Sequence, residues 1–121
     1  MARVLVIDDN RDTRETIRLL LESEGFLVAV AANGDEGLRL QRASPADVVV
    51  TDLLMPEKDG IETLHELHRE YPNTRVIVIS GSEMSRLNNL IVAARELGAT
   101  RVLRKPCDPE DLLQAVKQLT R

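Results

Sequence analysis

Three short, unbroken aliphatic runs constrain the fold of this chain more than any other feature. They are Val4-Leu5-Val6-Ile7, Val48-Val49-Val50 and Val76-Ile77-Val78-Ile79. A strand that faces water on one side alternates apolar with polar residues, whereas one covered on both faces reads as a continuous apolar run. These runs therefore predict parallel strands in the middle of a sheet with helices on both faces. Two weaker runs, Leu27 to Ala31 and Arg101 to Leu103, are expected towards its edges.

Helical patterns lie between the runs. Thr13, Ile17, Leu20 and Leu21 share one face of a helix from about Asp12 to Glu24, and Gly25 stands where a C-terminal cap belongs. A short helix is expected from about Asp35 to Arg42, ending before Ser44-Pro45, with Gly37 an unfavourable residue inside it. Ile61, Leu64, Leu67 and Tyr71 form a third stripe, closed by Pro72. Met84, Leu87, Ile91, Ala94 and Leu97 form a fourth, ended by Gly98. Leu112, Leu113, Val116 and Leu119 form the last, with Asp108-Pro109 as its start signal. Strands alternating with helices in this order predict an α/β three-layer sandwich on a parallel five-stranded sheet, joined by right-handed crossovers.

At 121 residues, with no repeat or linker, the chain reads as one domain over 1–121. Its charge is 16 − 20 = −4, and its only aromatics are Phe26 and Tyr71. That leaves neither a basic footprint nor a stacking platform for nucleic acid, so no direct contact with DNA or RNA is expected. The longest apolar run, Phe26 to Ala32, has seven residues, far short of the ~20 needed to cross a bilayer. No basic, apolar-cored leader opens the sequence, and the single cysteine, Cys107, fits a reducing compartment. A cytoplasmic location without membrane contact is the expectation.

In open parallel sheets the ligand crevice lies outside the carboxyl ends of the strands. Here the first strand runs into Asp8-Asp9, the third into Asp52, the fourth into Ser80 and the fifth into Arg104-Lys105-Pro106. Taken singly, these residues have plain structural uses, such as Asp8, Asp9 and Asn10 capping the first helix. Together they bring three carboxylates, a hydroxyl and an ammonium to one rim. Two carboxylates about 4 Å apart repel by roughly 4 kcal/mol at an effective dielectric of 20. One lysine does not balance three such charges, but a hard divalent cation does. An all-oxygen site with few protein ligands suits Mg²⁺, which keeps waters and accepts a phosphate oxygen. A carboxylate beside such an ion is a competent nucleophile towards phosphorus.

These residues resemble the receiver domains of two-component response regulators from end to end. The likeness rests on VLVIDD at 4–9, VVVTDLLMPEKDG at 48–60, VIVISG at 76–81 and VLRKP at 102–106. The resemblance implies a flavodoxin-like (βα)5 fold with strand order 2-1-3-4-5. It implies that Asp52 takes a phosphoryl group from a sensor histidine kinase or a histidine phosphotransfer protein. Asp9, Asp52 and the backbone carbonyl of Leu54 would bind Mg²⁺ directly, and Asp8 would act through metal-bound water. Ser80 would hydrogen-bond the phosphoryl group and Lys105 would pair with it. No other cofactor and no turnover of a separate substrate are implied, beyond the chain's own phosphorylation and hydrolysis of its aspartyl phosphate. The signal would pass to a downstream protein or to an output domain outside this chain.

The chain departs from the family's pattern at Val102, where an aromatic usually stands three residues before the lysine. An aromatic that swings inward cannot operate with valine, so the segment Gly81 to Asn89 is expected to carry the change. Leu54 and Ser82 flank the route of water to the phosphoryl group. An alternative is a protein-docking module that is never phosphorylated; Val102 keeps it open, and the set Asp8, Asp9, Asp52, Ser80 and Lys105 opposes it. A flavin carrier of the flavodoxin type would need a Gly/Ser/Thr-rich phosphate loop, where this chain has Asp8-Asp9-Asn10-Arg11-Asp12. A small-molecule phosphatase would need a general base, and none is placed for one. His65 and His68 lack a completing ligand set and are expected at the surface or its boundary. Cys107 is expected to pack. Leu19 points away from its helix's apolar stripe and is expected at the surface, where receivers meet their donors.

Overall fold

The computed structural model describes residues 2–52, 60–80, 96, 98–104 and 108–120, the side chains of Ile61 and Ser80 excepted. In chain order the elements are β1 (Arg3–Ile7), α1 (Arg11–Ser23), β2 (Leu27–Ala31), α2 (Gly34–Ala43), β3 (Val48–Asp52), α3 (Gly60–Glu70), β4 (Arg75–Ser80), β5 (Arg101–Arg104) and α4 (Pro109–Leu119). The stripe expected over 84–97 lies outside the described residues, Glu96 apart. All five strands pair in parallel, in the order β2-β1-β3-β4-β5. The continuous runs form the three inner strands and the weaker runs the two edges. Every residue of β3 is buried, as its unbroken apolar sequence requires.

Alternation along the strands sorts their side chains into two cores. Leu5, Ile7, Val49, Val76 and Val78 pack with Leu38 of α2 and with Leu64 and Leu67 of α3. Val4, Val6, Val48, Val50, Ile77 and Ile79 pack with Ile17 and Leu21 of α1 and with Leu112, Leu113 and Val116 of α4. The result is a three-layer sandwich of the flavodoxin type. Fully burying one such valine or leucine contributes about 1.5–3 kcal/mol, so these two cores hold the strand ends in place.

Local signals set the helix boundaries. Asn10 caps α1 by accepting from Thr13 N–H at 2.9 Å, Asn33 caps α2 by accepting from Glu36 N–H at 2.9 Å, and Asp108 caps α4 by accepting from Glu110 N–H at 2.9 Å. Gly25 follows α1 with φ +92°, the left-handed conformation that favours glycine after a helix. Gly37, unfavourable by helix propensity, sits where α2 crosses β1, and a Cβ there would strike the buried Ile7 side chain. Close approach of helix to strand explains the residue.

Candidate functional site

The register of the sheet builds the site. Ile7 pairs with Thr51 and Asp52 with Ile79. Asp8, one step past Ile7, therefore stands beside Asp52 at the carboxyl end of the two central strands. Alternation puts Asp8 on the face of Val4 and Val6, and Asp52 on the face of Val48 and Val50, so both point to the α1 side. Asp8 is 2% exposed and Asp52 is 6% exposed. Asp9 is exposed. One carboxylate oxygen from each of the three lies within 4.8 Å of the other two.

The residues around the cluster divide the work. Capping of α1 falls to Asn10, not to either aspartate. The Asn10 N–H donates to Asp8 Oδ1 at 2.9 Å, which fixes the Asp8 carboxylate. Arg14, one turn into α1, donates from Nη1 to the Asp8 carbonyl at 2.9 Å and brings a positive charge beside the cluster. Thr51, fully buried, donates its hydroxyl to the Asp52 carbonyl at 3.1 Å. Arg14 belongs to no motif that the sequence offers, and Thr51 lies within the stretch 48–60 without a role that its type or spacing assigns.

Ser80 is the last residue of β4 and pairs with Arg104 at the end of β5. Its backbone thus joins the same rim, one residue beyond the partner of Asp52. Leu54, Lys105 and Cys107 lie outside the described residues, as does the segment Gly81 to Asn89. Val102 pairs with Val78 and packs half-buried against the core under α3. Leu19 is 59% exposed. His65 and His68 are both exposed on α3, with the His68 ring against Gly98. Among the described residues the three aspartates are the one group of His, Cys, Asp and Glu side chains that could hold a metal ion. A cavity of about 590 Å³, lined by Asp47, Asn73, Arg75 and Thr120 among others, opens at the amino ends of the strands, away from this cluster.

Three carboxylates with no sulfur or imidazole among them make a hard, all-oxygen donor set. That set fits Mg²⁺, which is held by few protein ligands and keeps the remaining positions for water and phosphate. Among the described residues no helix is long and apolar enough to cross a membrane.

Comparison with known proteins agrees with this geometry. The family model described as the response regulator receiver domain matches residues 4–117. The chain is 37% identical over 123 residues to the transcriptional regulatory protein CpxR of Klebsiella pneumoniae subsp. pneumoniae, covering 100% of this chain and 50% of that protein. It thus spans about half the length of that relative. A crystal structure of a response regulator receiver domain protein from Clostridium thermocellum superposes with a TM-score of 0.87 at 37% identity, over 98% of this chain and 94% of the other. A CheY-like receiver domain protein from Methanospirillum hungatei superposes with a TM-score of 0.90 at 28% identity, over 98% and 92% of the two chains. With its sheet order, its cluster of aspartates at the strand ends and these likenesses, the chain belongs to the response regulator receiver domain family, the signalling modules of two-component systems.

Proposed function

We propose that this chain is a phosphoacceptor switch and that Asp52 is its acceptor. The observation that carries the reading is the convergence of Asp8, Asp9 and Asp52 within 4.8 Å at the carboxyl ends of β1 and β3. The donor is a phosphohistidine on a sensor kinase or phosphotransfer protein. An Asp52 carboxylate oxygen attacks phosphorus in line with the phosphorus–nitrogen bond. The new oxygen–phosphorus bond forms as that bond breaks, and the departing imidazole keeps the electron pair and is protonated by solvent. Asp9, Asp52 and the Leu54 carbonyl are the residues that would hold Mg²⁺, with Asp8 acting through water. When bound, the ion neutralises charge on the phosphoryl oxygens, the main requirement of such a transfer. Lys105 pairs with the phosphoryl group, and the Ser80 hydroxyl donates to it in a charge-assisted hydrogen bond. The same site hydrolyses its own aspartyl phosphate.

Donor proteins meet the chain along α1, where Leu19 offers an apolar side chain in a charged surface. The signal passes to a downstream protein or an output domain, and the chain touches neither nucleic acid nor membrane itself. The intact acidic cluster supports this reading over a docking module that is never phosphorylated. Intact mass after incubation with acetyl phosphate and Mg²⁺ tests it. Wild type is expected to gain one phosphate and Asp52→Asn none; undiminished labelling of the variant moves the acceptor elsewhere.

A further inference from the structure

We propose that the outer edge of β2 is a self-pairing surface, on which two copies of this chain join as antiparallel strands about a two-fold axis through Ala29. The longest apolar run in the sequence, Phe26 to Ala32, contains the edge strand β2, and no strand lies beyond it among the described residues. Leu27 is 48% exposed, and Val28, Ala29 and Val30 are half-buried. Soluble proteins blunt such edges with charge, proline or a bulge. β2 reads LVAVA and carries no charge or proline.

Backbone hydrogen bonds specify how a neighbour would dock. The Leu27 N–H donates to the Ala2 carbonyl at 3.1 Å, and the Ala31 carbonyl accepts from Asp8 N–H at 3.1 Å. The odd-numbered residues of β2 therefore face β1. Val28 and Val30 turn their N–H and C=O groups outward. On either flank the next outward N–H is already used, Phe26 by the Leu21 carbonyl at 3.2 Å and Ala32 by Glu36 Oε2 at 3.4 Å. Among the described residues an antiparallel neighbour thus finds open N–H groups on Val28 and Val30 alone, and with their own carbonyls these make four groups to pair. Residues that exchange both hydrogen bonds stand directly opposite each other. A two-fold axis at Val28 or at Val30 would ask Phe26 or Ala32 for a spent N–H. An axis at Ala29 sets Val28 opposite Val30 twice and satisfies all four groups.

Side chains and charge fit the same register. Val28 and Val30 become cross-strand β-branched pairs on one face. On the other, Leu27 lies opposite Ala31 and Ala29 opposite Ala29, so each exposed leucine meets a small residue. Leu27, Ala29, Leu40 and Ala43 already line an apolar cavity of about 140 Å³ on that side. Arg3, on β1 beside Leu27 and bonded through its guanidinium to the Ser44 hydroxyl, stands near the amino end of the edge, and Glu36 sits on Ala32 at its carboxyl end. Antiparallel pairing brings Arg3 of one copy towards Glu36 of the other at both ends, and a parallel pairing would not. The charge pattern thus selects a second copy as occupant, and the two-fold axis closes the assembly at two.

The contact is short, so the dimer is expected to be weak and seen at high concentration. In sedimentation equilibrium the mass should rise with concentration from 13.5 kDa to twice that value and no further. Leu27→Lys places a charge on the apolar contact, and Val28→Pro removes one outward N–H while leaving the pairs with β1 intact. Each should weaken association by about tenfold or more with the circular dichroism of the folded chain unchanged. Opposed Ala29 Cα atoms in a pair without mutual hydrogen bonds lie about 4.5 Å apart, within disulfide reach. Ala29→Cys in a Cys107→Ser background should therefore form a covalent dimer under mild oxidation, and Leu19→Cys in the same background should not. A strictly monomeric wild type at millimolar concentration overturns the proposal. So does growth beyond two copies, or equal cross-linking of the two cysteine variants.

Discussion

Asp8→Asn isolates what the carboxylate cluster costs the protein when no cation is bound. Asp8 and Asp52 are both buried, with oxygens no more than 4.8 Å apart. At an effective dielectric of about 20, that separation gives a repulsion of roughly 3.5 kcal/mol. Hydrogen bonds such as Asn10 N–H to Asp8 Oδ1, and the guanidinium of Arg14 nearby, offset part of it. Asparagine keeps an oxygen where Oδ1 accepts from Asn10 and replaces the other, charged oxygen with a neutral amide nitrogen. The metal-free variant should therefore be more stable than wild type by about 1–2 kcal/mol, or roughly 4–8 °C in melting temperature. In wild type, Mg²⁺ at ten times its dissociation constant should add about 1.4 kcal/mol by mass action. In Asp8→Asn, and in Asp9→Ala, that gain should shrink towards zero. Thermal melts followed by circular dichroism, in EDTA and in a Mg²⁺ series, read both quantities. A variant that melts below wild type in EDTA, or that gains as much from Mg²⁺ as wild type does, refutes the reasoning.

Two further outcomes follow from particular contacts. Helix propensity alone makes Gly37→Ala stabilising by about 1 kcal/mol, but its Cβ would strike Ile7, so overpacking of about 1–3 kcal/mol should make it neutral to destabilising in urea melts. Adding Ile7→Val, which removes the struck Cδ1 but leaves Cγ1 2.8 Å from the new Cβ, should make Gly37→Ala less costly, and additive effects of the two changes would rule out the contact as the cause. Leu19→Glu should slow phosphoryl transfer from a cognate donor protein and leave labelling by acetyl phosphate unchanged, because the side chain is exposed and remote from the carboxylates. Equal slowing of both reactions would mean the fold or the site was harmed.

What could be read from the residues beforehand follows physical range. Continuous apolar runs mark strands covered on both faces, so β1, β3 and β4 were legible, and the weaker β2 and β5 fell at the edges. Strand ends were then legible too, and with them Asp8, Asp9 and Asp52, since parallel pairing puts such ends on one rim. Contacts made across the fold have no period in the sequence. Asp8-Asp9-Asn10 offers three possible caps, and only the folded chain assigns the task to Asn10. Gly37 looks like a defect until α2 is seen crossing Ile7. Gln41 looks like a surface residue of a polar helix but is fully buried. Its side chain accepts from Ala46 N–H at 2.9 Å and donates to the Thr74 hydroxyl at 3.3 Å, tying together the turns before β3 and β4. Arg14 is illegible for the same reason, because the Asp8 carbonyl it binds stands six residues back, before the helix begins.

If Asp52 is the phosphoacceptor proposed above, Val102 should limit how its phosphoryl group is read at the surface. The residue pairs with Val78 in β4 and packs half-buried against the core that holds Leu64, Leu67 and Val76. A β-branched side chain has one χ1 and few rotamers, so at this position it is a fixed wall. It cannot travel between a buried and an exposed state as a long aromatic can. Whatever movement follows phosphorylation must then pass through backbone at the ends of β4 and β5. Val102→Ala should cost about 1 kcal/mol, the loss of partly buried methyl groups, and leave phosphorylation of Asp52 intact. Hydrogen exchange with and without beryllofluoride, a phosphoryl mimic, gives a map of altered protection. That map should be the same in wild type and Val102→Ala, because no rotation of residue 102 contributes to it. A map that collapses in Val102→Ala, with the fold and the labelling of Asp52 preserved, would show that this valine relays the signal after all.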